Sequence, residues 1–61
     1  MNNTFNIYRQ DSGEHRVVWV DRVKGLDQAT ERAHGLRVAV PGNYLIYDVQ
    51  ERTVVQALLA C

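Results

Sequence analysis

The 61-residue chain is short of several things that would identify it quickly: it has one cysteine, one proline and no excess of either charge. With Cys61 alone, an internal disulfide is excluded and a reduced thiol is expected. Zinc normally takes four Cys, His or carboxylate ligands at set spacings. Here His15, His34 and Cys61 stand without a C-x-x-C or H-x-x-x-H pattern, so neither metal nor cofactor is expected. Seven basic residues balance seven acidic ones, which leaves no overall field to draw in a phosphate backbone. No apolar run approaches the roughly 18 residues of a transmembrane helix. The opening Met1-Asn2-Asn3-Thr4 lacks the basic and apolar regions of a secretory signal. A soluble, cytoplasmic protein with no membrane partner is the expectation.

What is present is an ordinary globular composition, 46% hydrophobic and 23% charged, which argues against disorder. Residues 1–61 form a single domain on this reading, and at that size a chain buries only about 60% of the surface its unfolded form exposes. Chains this short usually lean on a disulfide, a metal or a partner subunit. With the first two eliminated, a homo-oligomer, most simply a dimer, is expected. Six of the seven basic residues are arginine, a side chain suited to planar and interfacial contacts. Ordinary solvated surface charge is the preferred account of them.

Hydrophobic periodicity predicts five elements. Thr4 to Gln10 and His15 to Asp21 are rich in β-branched and aromatic types and flank the turn-forming Asp11-Ser12-Gly13-Glu14, which predicts a hairpin. A turn centred on Ser12-Gly13 would pair Arg9 with Arg16, Tyr8 with Val17, Ile7 with Val18, Asn6 with Trp19 and Phe5 with Val20. Leu26, Ala29, Ala33, Leu36 and Val40 recur at three- and four-residue steps, which predicts one amphipathic helix over about Leu26 to Val38, stopped by Pro41-Gly42. Asn43 to Val49 and Thr53 to Leu59 read as a second hairpin around Gln50-Glu51-Arg52. Moving the first hairpin on by 39 positions superposes Phe5 on Tyr44, Ile7 on Ile46 and Tyr8 on Tyr47, and carries Val18 to Ala57 and Val20 to Leu59. The expected fold is α+β: a ββαββ chain whose antiparallel sheet has the order 2-1-3-4, with the helix packed on one face.

Side chains alternate along strands, so Phe5, Ile7, Val18 and Val20, with Tyr44, Ile46, Val55, Ala57 and Leu59, should lie under the helix. One helix covers one face. Tyr8, Val17, Trp19, Leu45, Tyr47 and Leu58 should therefore form an apolar patch on the other, larger than a monomer normally leaves open.

No catalytic constellation stands out, and the chain is read as non-enzymatic. Ser12 has no glycine elbow, Lys24-Gly25 lacks the rest of a phosphate loop, and neither histidine sits beside a nucleophile. His15 and His34 are expected at the surface. The opposed Arg9 and Arg16 are candidate anion contacts, although Asp11, Glu14 or the carbonyl end of the helix would satisfy them more simply.

The run Phe5-Asn6-Ile7-Tyr8-Arg9, a strand with Trp19, a helix with Ala29 and Ala33, and the segment Pro41-Gly42-Asn43-Tyr44-Leu45-Ile46-Tyr47-Asp48 resemble small uncharacterised bacterial ββαββ proteins. The resemblance implies the fold and a bacterial source, and brings no activity or functional residue with it. Function is then read from the open face: a small interaction module, regulatory in role, that self-associates there. The alternative is a nucleic-acid-binding regulator stacking bases on Tyr8, Trp19 and Tyr47, disfavoured by neutral charge and by the lack of an RNA-binding signature. A third reading has β2 or β4 accept a peptide strand.

Overall fold

A computed structural model of the chain describes residues 3–10 and 16–59. Along it run β1 (Thr4–Gln10), β2 (Val17–Lys24), α1 (Leu26–Ala39), β3 (Asn43–Asp48) and β4 (Thr53–Leu58). The four strands form one antiparallel sheet in the order β2-β1-β3-β4, with the helix on one side of it. This is the α+β arrangement the hydrophobic pattern predicts. The Ser12-Gly13 turn, His15 and Cys61 lie outside the described residues.

The core is small and made by alternation. Phe5 and Ile7 from β1, Tyr44 and Ile46 from β3 and Leu58 from β4 meet Ala29 and Ala33 of the helix, with Val20, Val23 and Leu36 packed around them. Each of the large aliphatic or Phe side chains contributes about 1.5–3 kcal/mol by leaving water. Ala29 and Ala33 are fully buried, and their lack of bulk lets the helix backbone come down onto the sheet. The predicted stripe is only partly realised. Leu26 is 45% exposed and Val40 47%, because the contact runs through the middle turns and the ends of the helix reach past the core.

Helix entry depends on Gly25. Its φ of 87° lies in a region that costs a side-chain-bearing residue strain, and there the chain turns from β2 straight into α1. The Gly25 N–H donates to the Asn3 carbonyl (2.8 Å) and its own carbonyl accepts from Ala29 (2.9 Å), so the turn ends the ladder and begins the helix. At the far end Val40 is extended, its N–H closes on Leu36 (2.7 Å), and Pro41 has no N–H with which to continue. The Tyr44 hydroxyl, reaching up from β3, donates to the Val40 carbonyl and lies 3.2 Å from that of Leu36.

Register departs from the simple hairpin. Arg9 pairs with Val18 and Gln10 with Val17, while Phe5 pairs with Val23 and Ile7 with Asp21. A connection longer than a two-residue turn slides β2 along β1. Arg9 and Arg16 are therefore not opposed: Arg16 is exposed ahead of β2, and the Arg9 stem lies against Gly42, its Cγ and Cδ 3.5 Å from where a Cβ would stand. Between Ile7 and Tyr8 the pairing jumps over Val20, a β-bulge. The β3–β4 pairing jumps over Val55 between Ile46 and Tyr47.

The two bulges occupy matching places. Ile7-Tyr8 becomes Ile46-Tyr47 on moving 39 positions, and the central β1–β3 pair is Ile7 with Ile46. The outer strands match at 35 positions, however, with Trp19 on Val54, Asp21 on Gln56 and Val23 on Leu58. The difference sits in the two turns. Because a bulge reverses which side later residues face, Leu58 lies under the helix opposite Tyr44, whereas Ala57 faces the other way opposite Leu45. Both are corrections to the alternation expected for β4. Val55 and Leu59, also expected in the core, are 42% and 63% exposed.

Candidate interaction face

The side of the sheet away from the helix carries two cross-strand rows. One runs Trp19, Tyr8, Leu45, Ala57 across β2, β1, β3 and β4. The other runs Arg22, Asn6, Tyr47, Val54. Val17 extends the face on β2, opposite Gln10. None of these residues is covered by another element of the described chain. Trp19 is 54% exposed, Val54 50% and Val17 47%, while Tyr8, Leu45 and Tyr47 are half-buried by their neighbours in the sheet.

Local chemistry fixes the shape of this face. Tyr8 and Tyr47 sit on a diagonal between adjacent strands and meet edge to face, ring centroids 6.3 Å apart at 79°. Asn6 is the polar hub. Its Oδ1 accepts from Trp19 Nε1 (3.4 Å) and Arg22 Nε (3.3 Å), and its Nδ2 donates to the Tyr8 hydroxyl (3.4 Å). The indole is thereby tied toward β1 rather than free to swing. These are long bonds on a solvent-facing surface, so they orient more than they stabilise.

Of the six residues expected to form the patch, the structure brings Tyr8, Val17, Trp19, Leu45 and Tyr47 onto one face and places Leu58, 7% exposed, in the core. Alternation puts Asn6 and Val54 on this side of the sheet, outside the expected apolar patch, and does not find Arg22 or Ala57. Arg22 and Ala57 lie beyond the bulges, and simple alternation hides them. Val54 precedes its bulge and was legible as outward-facing.

On the helix side, the residues just past each bulge hold the helix. Arg32 Nε donates to Asp21 Oδ2 at 2.9 Å, and Thr30 Oγ1 donates to Gln56 Oε1 at 3.0 Å. The Arg32 side-chain bond, aided by the Arg22 backbone N–H at 2.8 Å, holds the Asp21 carboxyl below the ordinary aspartate range. Among the described residues no three His, Cys, Asp or Glu side chains gather as metal ligands, and no helix is long and apolar enough to cross a membrane. His34 is exposed on α1. An open depression on the solvent side of the helix is lined by Gln28, Glu31, Arg32 and Gly35, all exposed. No family model, curated protein or solved structure matches the chain.

Proposed function

We propose that the protein is a non-enzymatic interaction module that self-associates through the helix-free face of its sheet, with a second copy of the chain as the occupant. One observation carries the reading: Trp19, Val54 and Val17 stand about half exposed beside Tyr8, Leu45 and Tyr47 on a face that the single helix leaves open. Clusters of Trp, Tyr and aliphatic side chains are the composition of interface cores. The chain's neutral net charge puts no long-range repulsion between copies. A cytoplasmic setting and a regulatory role complete the reading.

Light scattering or sedimentation at micromolar concentration tests it, with Trp19→Glu as the matched variant. A dimer for the parent chain, and a monomer of lower melting temperature for Trp19→Glu, is the expected result, since association and folding are linked by mass action. A parent monomer whose melting temperature Trp19→Glu leaves unchanged refutes it. Salt-dependent quenching of Trp19 by a single-stranded oligonucleotide would replace self-association by base stacking.

A further inference from the structure

One cross-strand row of the open face is a wedge. Along it side-chain volume falls steadily from Trp19 through Tyr8 and Leu45 to Ala57. In the second row the outer pair runs the same way, long Arg22 on β2 against short Val54 on β4, while the inner pair runs the other way, Asn6 on β1 against the larger Tyr47 on β3. The matching bulges expose this asymmetry, since Trp19 and Val54 hold equivalent places in the two hairpins, as do Arg22 and Ala57, yet each β2 member is the larger.

Two sheets packed face to face lie about 10 Å apart, and that layer must be filled to interior density by side chains from both. Resting on the self-association reading above, we propose that the two copies pack with their two-fold axis parallel to the strands, so that β2 of each copy covers β4 of the other. Trp19 then meets the partner's Ala57, and Tyr8 meets the partner's Leu45. The thick side of one wedge lies on the thin side of the other, and the layer keeps an even depth. Arg22 covers the partner's Val54 with its aliphatic stem while its Nε stays bonded to Asn6. An in-plane axis perpendicular to the strands would instead stack β2 on β2. Trp19 and Arg22 would then prop the copies apart and leave a void between the two β4 strands, a defect that packing penalises. The contact is isologous and closes at two copies.

Charge-swapped halves test this geometry. Trp19→Glu and Ala57→Lys each place a charge in the interface, and each alone is expected to raise the dimer dissociation constant at least about thirty-fold, the factor for losing a central interface residue. Mixed in equal amounts, they form a heterodimer with one Glu–Lys contact and one native Trp19–Ala57 contact. Native mass spectrometry of the mixture should show that heterodimer, with circular dichroism confirming that each variant is folded. As a second arm, Trp19→Ala and Ala57→Trp should each weaken the dimer, and the double variant Trp19→Ala/Ala57→Trp should restore it, since the wedge is merely reversed. Recovery in either arm supports the axis. No recovery in both, with a dimeric parent, overturns the axis and leaves self-association standing. A monomeric parent overturns both.

Discussion

Asp48 is the only buried charged or polar side chain among the described residues, 5% exposed at the end of β3, and its removal should be the most damaging single change outside the apolar core. Its Oδ1 accepts the N–H groups of Gln50 (2.9 Å) and Glu51 (3.1 Å), and its Oδ2 accepts the Asn3 side-chain amide (3.1 Å). Its own carbonyl accepts from Arg52 (2.7 Å), the residue held at a φ of 56° so that the chain can turn back into β4. One carboxylate thus closes the β3–β4 turn and ties the start of β1 to it. Hydrogen bonds to a charged group are worth about 1.5–3 kcal/mol each. Gln50 and Glu51 are exposed, so their amides regain water when the carboxylate goes, and the low end applies. Asp48→Ala should cost about 2–4 kcal/mol, a large part of the about 3–9 kcal/mol that a domain of this size holds in all. The melting temperature should fall by about 10–25 °C. Asp48→Asn keeps one acceptor but points an amide at the Asn3 donor, and should fall between the two. Urea denaturation followed by circular dichroism, at one fixed protein concentration so that association does not contribute, measures the series. An Asp48→Ala variant within about 0.5 kcal/mol of the parent would refute the argument, because surface substitutions commonly fall in that range.

Two further outcomes follow from the helix's seat on the sheet. The Asp21 carboxyl is lowered by Arg32, so the pair's contribution is present above the unfolded aspartate pKa and lost as pH falls through the lower folded value. With both side chains partly exposed the pair is worth about 0.2–1 kcal/mol, so Arg32→Ala should melt about 1–5 °C below the parent at pH 7. That gap should narrow as melts are taken at pH falling below the ordinary aspartate range; one that does not narrow would mean that Arg32 acts through packing. Ala33, fully buried where the helix touches the sheet, has no room for bulk: Ala33→Leu should lose about 1–3 kcal/mol in the same denaturation, and an unchanged midpoint would mean that the helix rides higher than described.

The elements and their order were legible because their signals are local. Alternation marks Thr4 to Gln10 and Asn43 to Asp48 to the residue or nearly so, and Pro41 after the helical period fixes where α1 stops. Strand order also followed, since β1 beside β3 makes every neighbour antiparallel whereas β2 beside β3 would need a parallel pair. What was hidden is non-local. A bulge has no signature in Val18-Trp19-Val20-Asp21 or Val54-Val55-Gln56-Ala57, both of which read as plain strand; it appears only when the partner strand sets the register. Residues ahead of the bulges, Val17, Trp19 and Val54, were therefore placed on the correct side by alternation alone. Alternation reverses those beyond them, Ala57 and Leu58, and so puts Leu58 on the face where Ala57 belongs. Composition gave no hint either: alternation puts the polar Asp21 and Gln56 outward, and only the bulges turn them inward, where each bonds the helix.

The same bulges bear on how copies of this chain can meet. An edge strand offers unpaired N–H and C=O groups to any passing strand, and the sheet has two such edges, β2 and β4. Both carry a bulge midway, which breaks the even spacing that strand addition requires. The β2 edge adds an inward-pointing charge, Asp21, held by Arg32, together with Arg22 and Lys24. The β4 edge has no charge between Thr53 and Leu58 and relies on its bulge. Strand addition at such edges would also leave each new sheet with an open edge, so that growth continues into a ribbon. Association through the face has neither difficulty. It needs no regular hydrogen-bond row, it removes from water the half-exposed Trp19, Val17 and Val54, and a two-fold contact there exhausts the surface in one step. The features that blunt the edges therefore favour the face over strand addition, and a discrete dimer over an open-ended assembly.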